Sequence, residues 1–422
     1  MARVHLILCA GLLSLAYDHV GRGLQAPPAA TPAPQSNGSV IRFTKTVIDT
    51  EFRSEGAAVA DVNHDGTLDI LAGNVWYEAP SSTPRGLPAR GPRSWRPHVI
   101  APLQKFDRAT EYSNSFLNYA RDLNHDGWID QLVLGFPGKA ATWRENPRGG
   151  DGPWREHIIS DTQGNESPAM GRLLAEGPPV LIYGVEDSLM AWFEARSPPT
   201  EPFRRHVISE PEAPGTHHFA HGLGVGDLNG DDRNDVVVTK GYWVAPADPR
   251  QGPWPFVAAD LGPDCAQMAI YDVNGDDVSD VVTSSAHNIG VWWFEQQVRG
   301  GQRTFARHTI DDSFSQSHAL ATADINGDGL LDVVTGKRFW AHGPDGDVDA
   351  NAPAVLHWFE LRRRDGRVTW IRHDIDDDSG VGTQVVAADV DGDERIDVVV
   401  ANKKGVFLFR QERGPTSAKG QR

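Results

Sequence analysis

Residues 318–336, HALATADINGDGLLDVVTG, hold the reading that decides the fold. A run of small apolar residues leads into an acid-rich turn, Asp324 to Asp332, and a β-branched run leaves it. The nine-residue turn is not unique to this place. It recurs as DVNHDGTLD from Asp61, DLNHDGWID from Asp122, DLNGDDRND from Asp227, DVNGDDVSD from Asp272 and DVDGDERID from Asp389. Self-similarity at a regular period is the mark of a repeat architecture. The spacing from Asp122 to Asp227 is 227 − 122 = 105 residues, about twice the others. Its middle, GRLLAEGPPVLIYGVEDSLMAWFE at 171–194, keeps the flanking apolar runs without the acidic turn. It reads as a seventh, degenerate repeat that holds no ion.

Working outward, each turn is followed by a β-branched run such as DVVTG, an aromatic run such as VLHWFE and a fourth run such as ARHTID. Short β-branched and aromatic runs bounded by Gly, Asp and Pro clusters are strands. Four strands repeating every 45 to 65 residues or so make propeller blades. The expected fold is therefore all-β, a seven-bladed β-propeller of four-stranded antiparallel blades. Fourth strands occur as WRPHVI, WREHII, FRRHVI, WPFVAAD, FARHTI and WIRHDI. The seventh, RFTKTVID at Arg42–Asp49, precedes the first blade, while the last blade ends at VFLFR without one. The N-terminal strand is thus expected to complete the last blade and close the ring, removing open sheet edges. The tryptophans of WYE, WRE, WFE and WWFE fall at equivalent places and read as packing between blades.

The formal net charge is −17, with no basic stripe to offset it, which excludes nucleic acid as a partner and favours cations. Arg3 precedes an apolar run from Val4 to Ala16, with a small-residue site at Leu24-Gln25-Ala26. That pattern is a signal peptide over 1–26, too short to span a membrane, so the mature chain is expected to be secreted or periplasmic and not membrane-spanning. Residues 27–39, PPAATPAPQSNGS, form a Pro-rich linker; the propeller is placed at 40–412 and a disordered tail at 413–422. With Cys9 in the leader, Cys265 is alone and no disulfide framework exists.

Within each turn, oxygen-bearing side chains occupy positions one, three, five and nine, with glycine at four or six. These are Asp61, Asn63, Asp65 and Asp69; Asp122, Asn124, Asp126 and Asp130; Asp227, Asn229, Asp231 and Asp235. The other three sets are Asp272, Asn274, Asp276 and Asp280; Asp324, Asn326, Asp328 and Asp332; Asp389, Asp391, Asp393 and Asp397. Hard oxygens at this spacing suit calcium and resemble the first half of an EF-hand loop, so up to six structural calcium ions are expected. The competing reading is a metal-free turn in which these side chains cap backbone amides. The repeats resemble the FG-GAP or VCBS type, the family of integrin α-subunit heads, over about Val40 to Arg410. That resemblance implies the fold and leaves adhesion, sugar binding and polysaccharide cleavage all open.

The acidic turns join first to second strands, so the turns entering the first strands and those between second and third strands share the opposite end. There the sequence places Glu55, Asn114, His217, His218, His221, Cys265, His318 and Gln384, and then Lys240, His287, Asn288, Lys337, Arg338, His342, Lys403 and Lys404. The expectation is a solvent-lined, cationic or neutral basin at the channel mouth, for a carbohydrate or other small polar ligand. Glu55 and Asn74 of blade one lack the basic set, so the chemistry is expected on one side of the ring. The runs HHFAHGLGVGDLNGDD, SQSHALATADINGDG with GKRFWAHG, and DDSGVGTQVVAADVDGD also resemble the propeller of aldos-2-ulose dehydratase-like proteins. That resemblance implies a lyase on keto sugars, with His221 or His318 as base, Lys337 and Arg338 steadying an enediolate, and His217 and His218 helping to hold a zinc-type ion. No cupin domain follows in this sequence.

Overall fold

The computed structural model describes residues 40–80 and 94–414. The leader and linker expected over 1–39, and all but the first two residues of the expected tail, lie outside the described residues. Seven four-stranded antiparallel sheets are present. The first strands of neighbouring blades lie against one another around the ring, and among the described residues there is no helix.

Why these segments are strands follows from their burial. Second strands such as Asp235–Val238, Asp280–Ser284 and Asp332–Gly336 are β-branched and buried along their whole length, with sheet neighbours at the sides and other blades above and below. The outermost strands are instead half-wetted: Ile41–Asp49 alternates between half-buried and exposed over most of its length. That N-terminal strand runs antiparallel to Gly405–Arg413, with Ile41 opposite Arg413 and Val47 opposite Phe407. It is the outer strand of the sheet that also contains Asp397–Asn402 and Val385–Ala388.

The repeated tryptophans are buried, and they have a partner that the repeats did not reveal. Trp76, Trp143, Trp192, Trp293 and Trp358 stack on His98, His157, His206, His308 and His373 of the adjacent fourth strand, with centroids 4.1–4.5 Å apart. Each histidine's Nε2 meets a carboxylate two residues beyond its tryptophan at 2.9 Å: Glu78, Glu145, Glu194, Glu295 and Glu360. The register places tryptophan directly opposite histidine in every case, so the stack follows from strand pairing alone.

Candidate functional site

At the end opposite the acidic turns, side chains from five blades meet. Arg338 follows the second strand of blade six, and its backbone N–H is fixed by Gln316 O at 2.9 Å. Its guanidinium is 1% exposed. One nitrogen donates to the Glu55 carboxylate of blade one, and another lies 3.6 Å from Glu166 of blade three. Glu55 is completely buried and is anchored through its own N–H to Ser115 O. Burial alone would lower the Arg338 pKa; Glu55 and Glu166 outweigh it and hold the guanidinium charged. Burial likewise pushes the Glu166 carboxyl up, but His221 and Arg338 together bring it down to about 2.

Beside this ion cluster stand four histidines. His221 (blade four), His287 (blade five) and His318 (blade six) have ring centroids 4.6, 5.3 and 5.6 Å apart, and His342 lies 4.9 Å from His287. His221 and His318 are buried. In both, Nδ1 faces a backbone oxygen two residues back, Phe219 O at 2.7 Å and Gln316 O at 3.2 Å. A carbonyl can only accept, so Nδ1 carries a proton in both rings and Nε2 is the atom turned to the site. Burial, reinforced by Arg338, pushes His318 well below the ordinary imidazole range, so it is neutral. Asp347 ties His342 at 2.6 Å and lies 3.6 Å from His287; burial would lower His287, and this carboxylate raises it.

Five atoms of this cluster are buried without a hydrogen-bond partner: Glu166 Oε2, His221 Nε2, His318 Nε2, and Arg338 Nε and Nη1. Buried polar groups are nearly always paired, so this concentration makes the cluster the candidate site. One wall is aromatic. Tyr112 packs 5.2 Å from Phe136, and Phe136 lies 5.5 Å from Phe219, while the Arg338 guanidinium is 5.7 Å from the Tyr112 ring. Phe219 is 39% exposed and sits at φ 61°, a strained left-handed conformation for a bulky residue. Gln316 and Trp340, in two neighbouring mouth turns, share that conformation at φ 59° and 49°.

The structure corrects three expectations. His318, Lys337, Arg338 and Lys403 are buried, not solvent-lined, because the ring of turns covers itself. The mouth is not a cationic basin, since Glu55, Glu166 and Asp347 lie in it against Arg338, Lys337 and Lys403. Nor is the chemistry confined to one side of the ring: Glu55 of blade one is the direct partner of Arg338. Lys337 does not reach the histidines; its amine donates to Ser315 Oγ at 2.8 Å, and burial lowers its pKa to about 8. The Lys403 amine, also lowered to about 8 by burial, donates to Trp340 O and lies 4.5 Å from the Tyr112 ring.

The remaining residues sit farther out or lower down. Lys240 is exposed and pairs with Asp260, His217 is exposed, and His218 pairs with Asp187 at 2.7 Å. Gln384 exchanges two bonds with the backbone of Asn118, and Gln267 bridges Leu320 N and Thr383 O. The Gln384–Asn118 and Gln267–Thr383 bonds link blades that are not neighbours, so side chains lace the channel beneath the mouth. Cys265 is buried, which pushes its thiol up to about 12 and leaves it unreactive. A separate cleft of about 300 Å³, lined by Arg53, Asn74, Lys139 and Glu156 among others, holds none of the unpartnered groups.

Sequence reasoning missed Glu166, Asp347 and the aromatic wall. Glu166 stands three residues before the first strand of blade three, as Glu55 does in blade one, but that blade has no acidic turn from which to count.

At the other end, all six acidic turns share one backbone. Positions four and six have positive φ in every copy, by glycine or by His64, His125, Asp232, Asp277 and Glu394. The first aspartate caps the N–H groups of positions five and six, as Asp61 does for Asp65 and Gly66. The ninth is buried and joins strands: Asp69 accepts from Val62 N and Ala79 N, and Asp332 from Ile325 N and Leu361 N. Burial first, and the neighbouring carboxylates second, push Asp69 and Asp332 up to about 8, Asp130 and Asp235 to about 7, and Asp280 and Asp397 to about 6. The carboxylates of Asp389, Asp391 and Asp397 come within 4.8 Å of one another. Buried and crowded oxygens of this kind fit a hard divalent cation, whose charge offsets their repulsion.

Fold and site define a seven-bladed β-propeller with acidic turns at one end and a buried polar cluster at the other. A family model described as FG-GAP-like repeat matches residues 272–335, and the chain is a propeller of FG-GAP-type repeats. No curated protein matches it. Among solved structures the chain is similar to the Photorhabdus luminescens Tc holotoxin pore carrying the TccC3-D651A mutation, at 14% identity and a TM-score of 0.35. That alignment covers 88% of this chain and 14% of the other, so this chain spans a small part of that one. Among the described residues no helix is long and apolar enough to cross a membrane.

Proposed function

We propose that the mouth of the propeller binds a carbohydrate carrying a carbonyl or carboxylate group, in an exported protein whose blades are stiffened by calcium. The observation that carries this reading is the set of five unpartnered buried atoms, two donors on Arg338, acceptors on Glu166 and His318, and His221 Nε2 beside them. A sugar supplies hydroxyls for the acceptors and a carbonyl or carboxylate for the guanidinium. The ring faces of Tyr112, Phe136 and Phe219 give its apolar side a surface to lie on. Calcium in the six acidic turns is supported by their shared backbone and crowded carboxylates, and export by the leader pattern of residues 1–26.

Calorimetric titration of the calcium-loaded protein with keto sugars and uronic-acid oligosaccharides tests the reading. One saturable site per chain is expected. Glu166→Gln should weaken it by roughly 10- to 100-fold, the usual worth of a hydrogen bond to a charged group. Phe219→Ala should weaken it with little change in melting temperature, because that ring is partly exposed. Full affinity in both variants would place the ligand elsewhere.

A second reading is favoured by one observation: His318 is neutral, its Nε2 is free, and Arg338 lies close by. Such a pair suits proton abstraction beside a carbonyl, as in a sugar lyase. Growth of the ultraviolet absorbance of an enone on incubation with a keto sugar, lost in His318→Gln, is the expected sign.

A further inference from the structure

We propose that His221, His287 and His318 form a binding site for a zinc-class divalent metal ion at the mouth of the propeller. The inference deepens the reading of the mouth as a ligand site, and its functional meaning rests on that reading. Three successive blades each contribute one imidazole, and the ligand nitrogens all lie within 4.8 Å of one another. Zinc bonded to nitrogen at 2.0–2.1 Å holds its ligands roughly 3.3 Å apart, so small ring rotations complete the set.

Three further features point the same way. Backbone carbonyls take the Nδ1 protons of His221 and His318, which is how metal-binding histidines are commonly oriented. The Nε2 atoms so freed are buried and unpartnered. A carboxylate is at hand, since Glu166 Oε2 lies 3.4 Å from His221 Nε2 without hydrogen-bond geometry. A second grouping, His287, His342 and Asp347, shares one histidine, but its His342 is already bonded to Asp347 at 2.6 Å. Imidazole ligands select zinc and its neighbours over calcium. A three-histidine set leaves a coordination position open, where a ligand's carbonyl oxygen would be polarised.

The test uses metal alone. The full chain is stripped with chelator, reloaded with saturating calcium to fill the acidic turns, and titrated with cobalt, followed by its visible absorption, and with zinc by calorimetry. One tight equivalent is expected, with the visible band of nitrogen-bound cobalt. His318→Ala and His287→Ala should each weaken binding by roughly 100-fold, and Glu166→Gln by roughly 10-fold. His287 is only half-buried, so its variant should keep the wild-type melting temperature and serve as the folded control. Absence of a cobalt band, or zinc uptake unchanged in His287→Ala, overturns the proposal. Sugar binding that persists without any zinc uptake overturns the metal site and leaves the sugar site standing; zinc uptake without sugar binding supports the metal site and removes the sugar reading.

Discussion

Arg338→Ala should cost several degrees of melting temperature. The guanidinium is 1% exposed, Glu55 is fully buried and Glu166 nearly so. Removing the arginine leaves two buried carboxylates without their cation, and breaking a buried pair from one side costs about 3–5 kcal/mol. Unfolding entropy of roughly 2.1 cal/mol/K per residue, over about 370 folded residues, amounts to about 0.8 kcal/mol/K. The expected fall is therefore about 4–6 °C, measured by scanning calorimetry in saturating calcium. Glu55→Gln should cost less, because Glu166 still faces the guanidinium. Replacing Arg338, Glu55 and Glu166 together by Met should recover most of the loss, since a buried ion cluster exchanged for apolar groups is often neutral. A melting temperature within one degree of wild type for Arg338→Ala, or a fall no larger than that of the exposed-residue control Lys240→Ala, would refute the reasoning.

Chelation should lower the melting temperature by well over ten degrees. Each ion at 100 times its dissociation constant adds about 2.7 kcal/mol, and an unchanged melt would remove calcium from the turns. In chelator, stability should also fall as pH rises. Burial lifts the six ninth-position aspartates from 3.8 to between about 6 and about 8, so what they contribute is complete below the ordinary carboxylate range and is lost as pH rises through that window. Melts in chelator from pH 5 to 8.5 should decline while melts in calcium stay nearly flat; a rising chelator series would contradict this. Deleting Val40–Asp49 should expose the edge of Gly405–Arg413 and cause aggregation, seen by light scattering. A soluble, equally stable monomer would show that the pairing is dispensable.

The blades were legible in the sequence because the acidic turn has a fixed internal spacing, set by two left-handed positions and four oxygen-bearing side chains. Even the blade without that turn could be found by its doubled gap. Which face held the histidines followed from strand order. Burial did not: Lys337, Arg338 and Lys403 lie in turns, and a turn reads as solvated until the neighbouring turns of a ring are seen to cover it. The Arg338–Glu55 pair joins residues 283 positions apart, and no local pattern encodes such a distance. The Trp–His–Glu stacks lie between these extremes. Both halves recur in the repeats, but only the register of third and fourth strands brings tryptophan opposite histidine.

The most direct test of the mouth as the functional site is the crystal structure of the calcium-loaded protein with the tightest-binding sugar of the calorimetric panel. The sugar is predicted to lie against Phe219 and Tyr112, with an oxygen within hydrogen-bond distance of Arg338 Nε or Nη1 and a hydroxyl on Glu166 Oε2. A sugar found instead on the acidic-turn face, in the cleft beside Lys139, or between outer strands, with the five mouth atoms still unpaired, would contradict it.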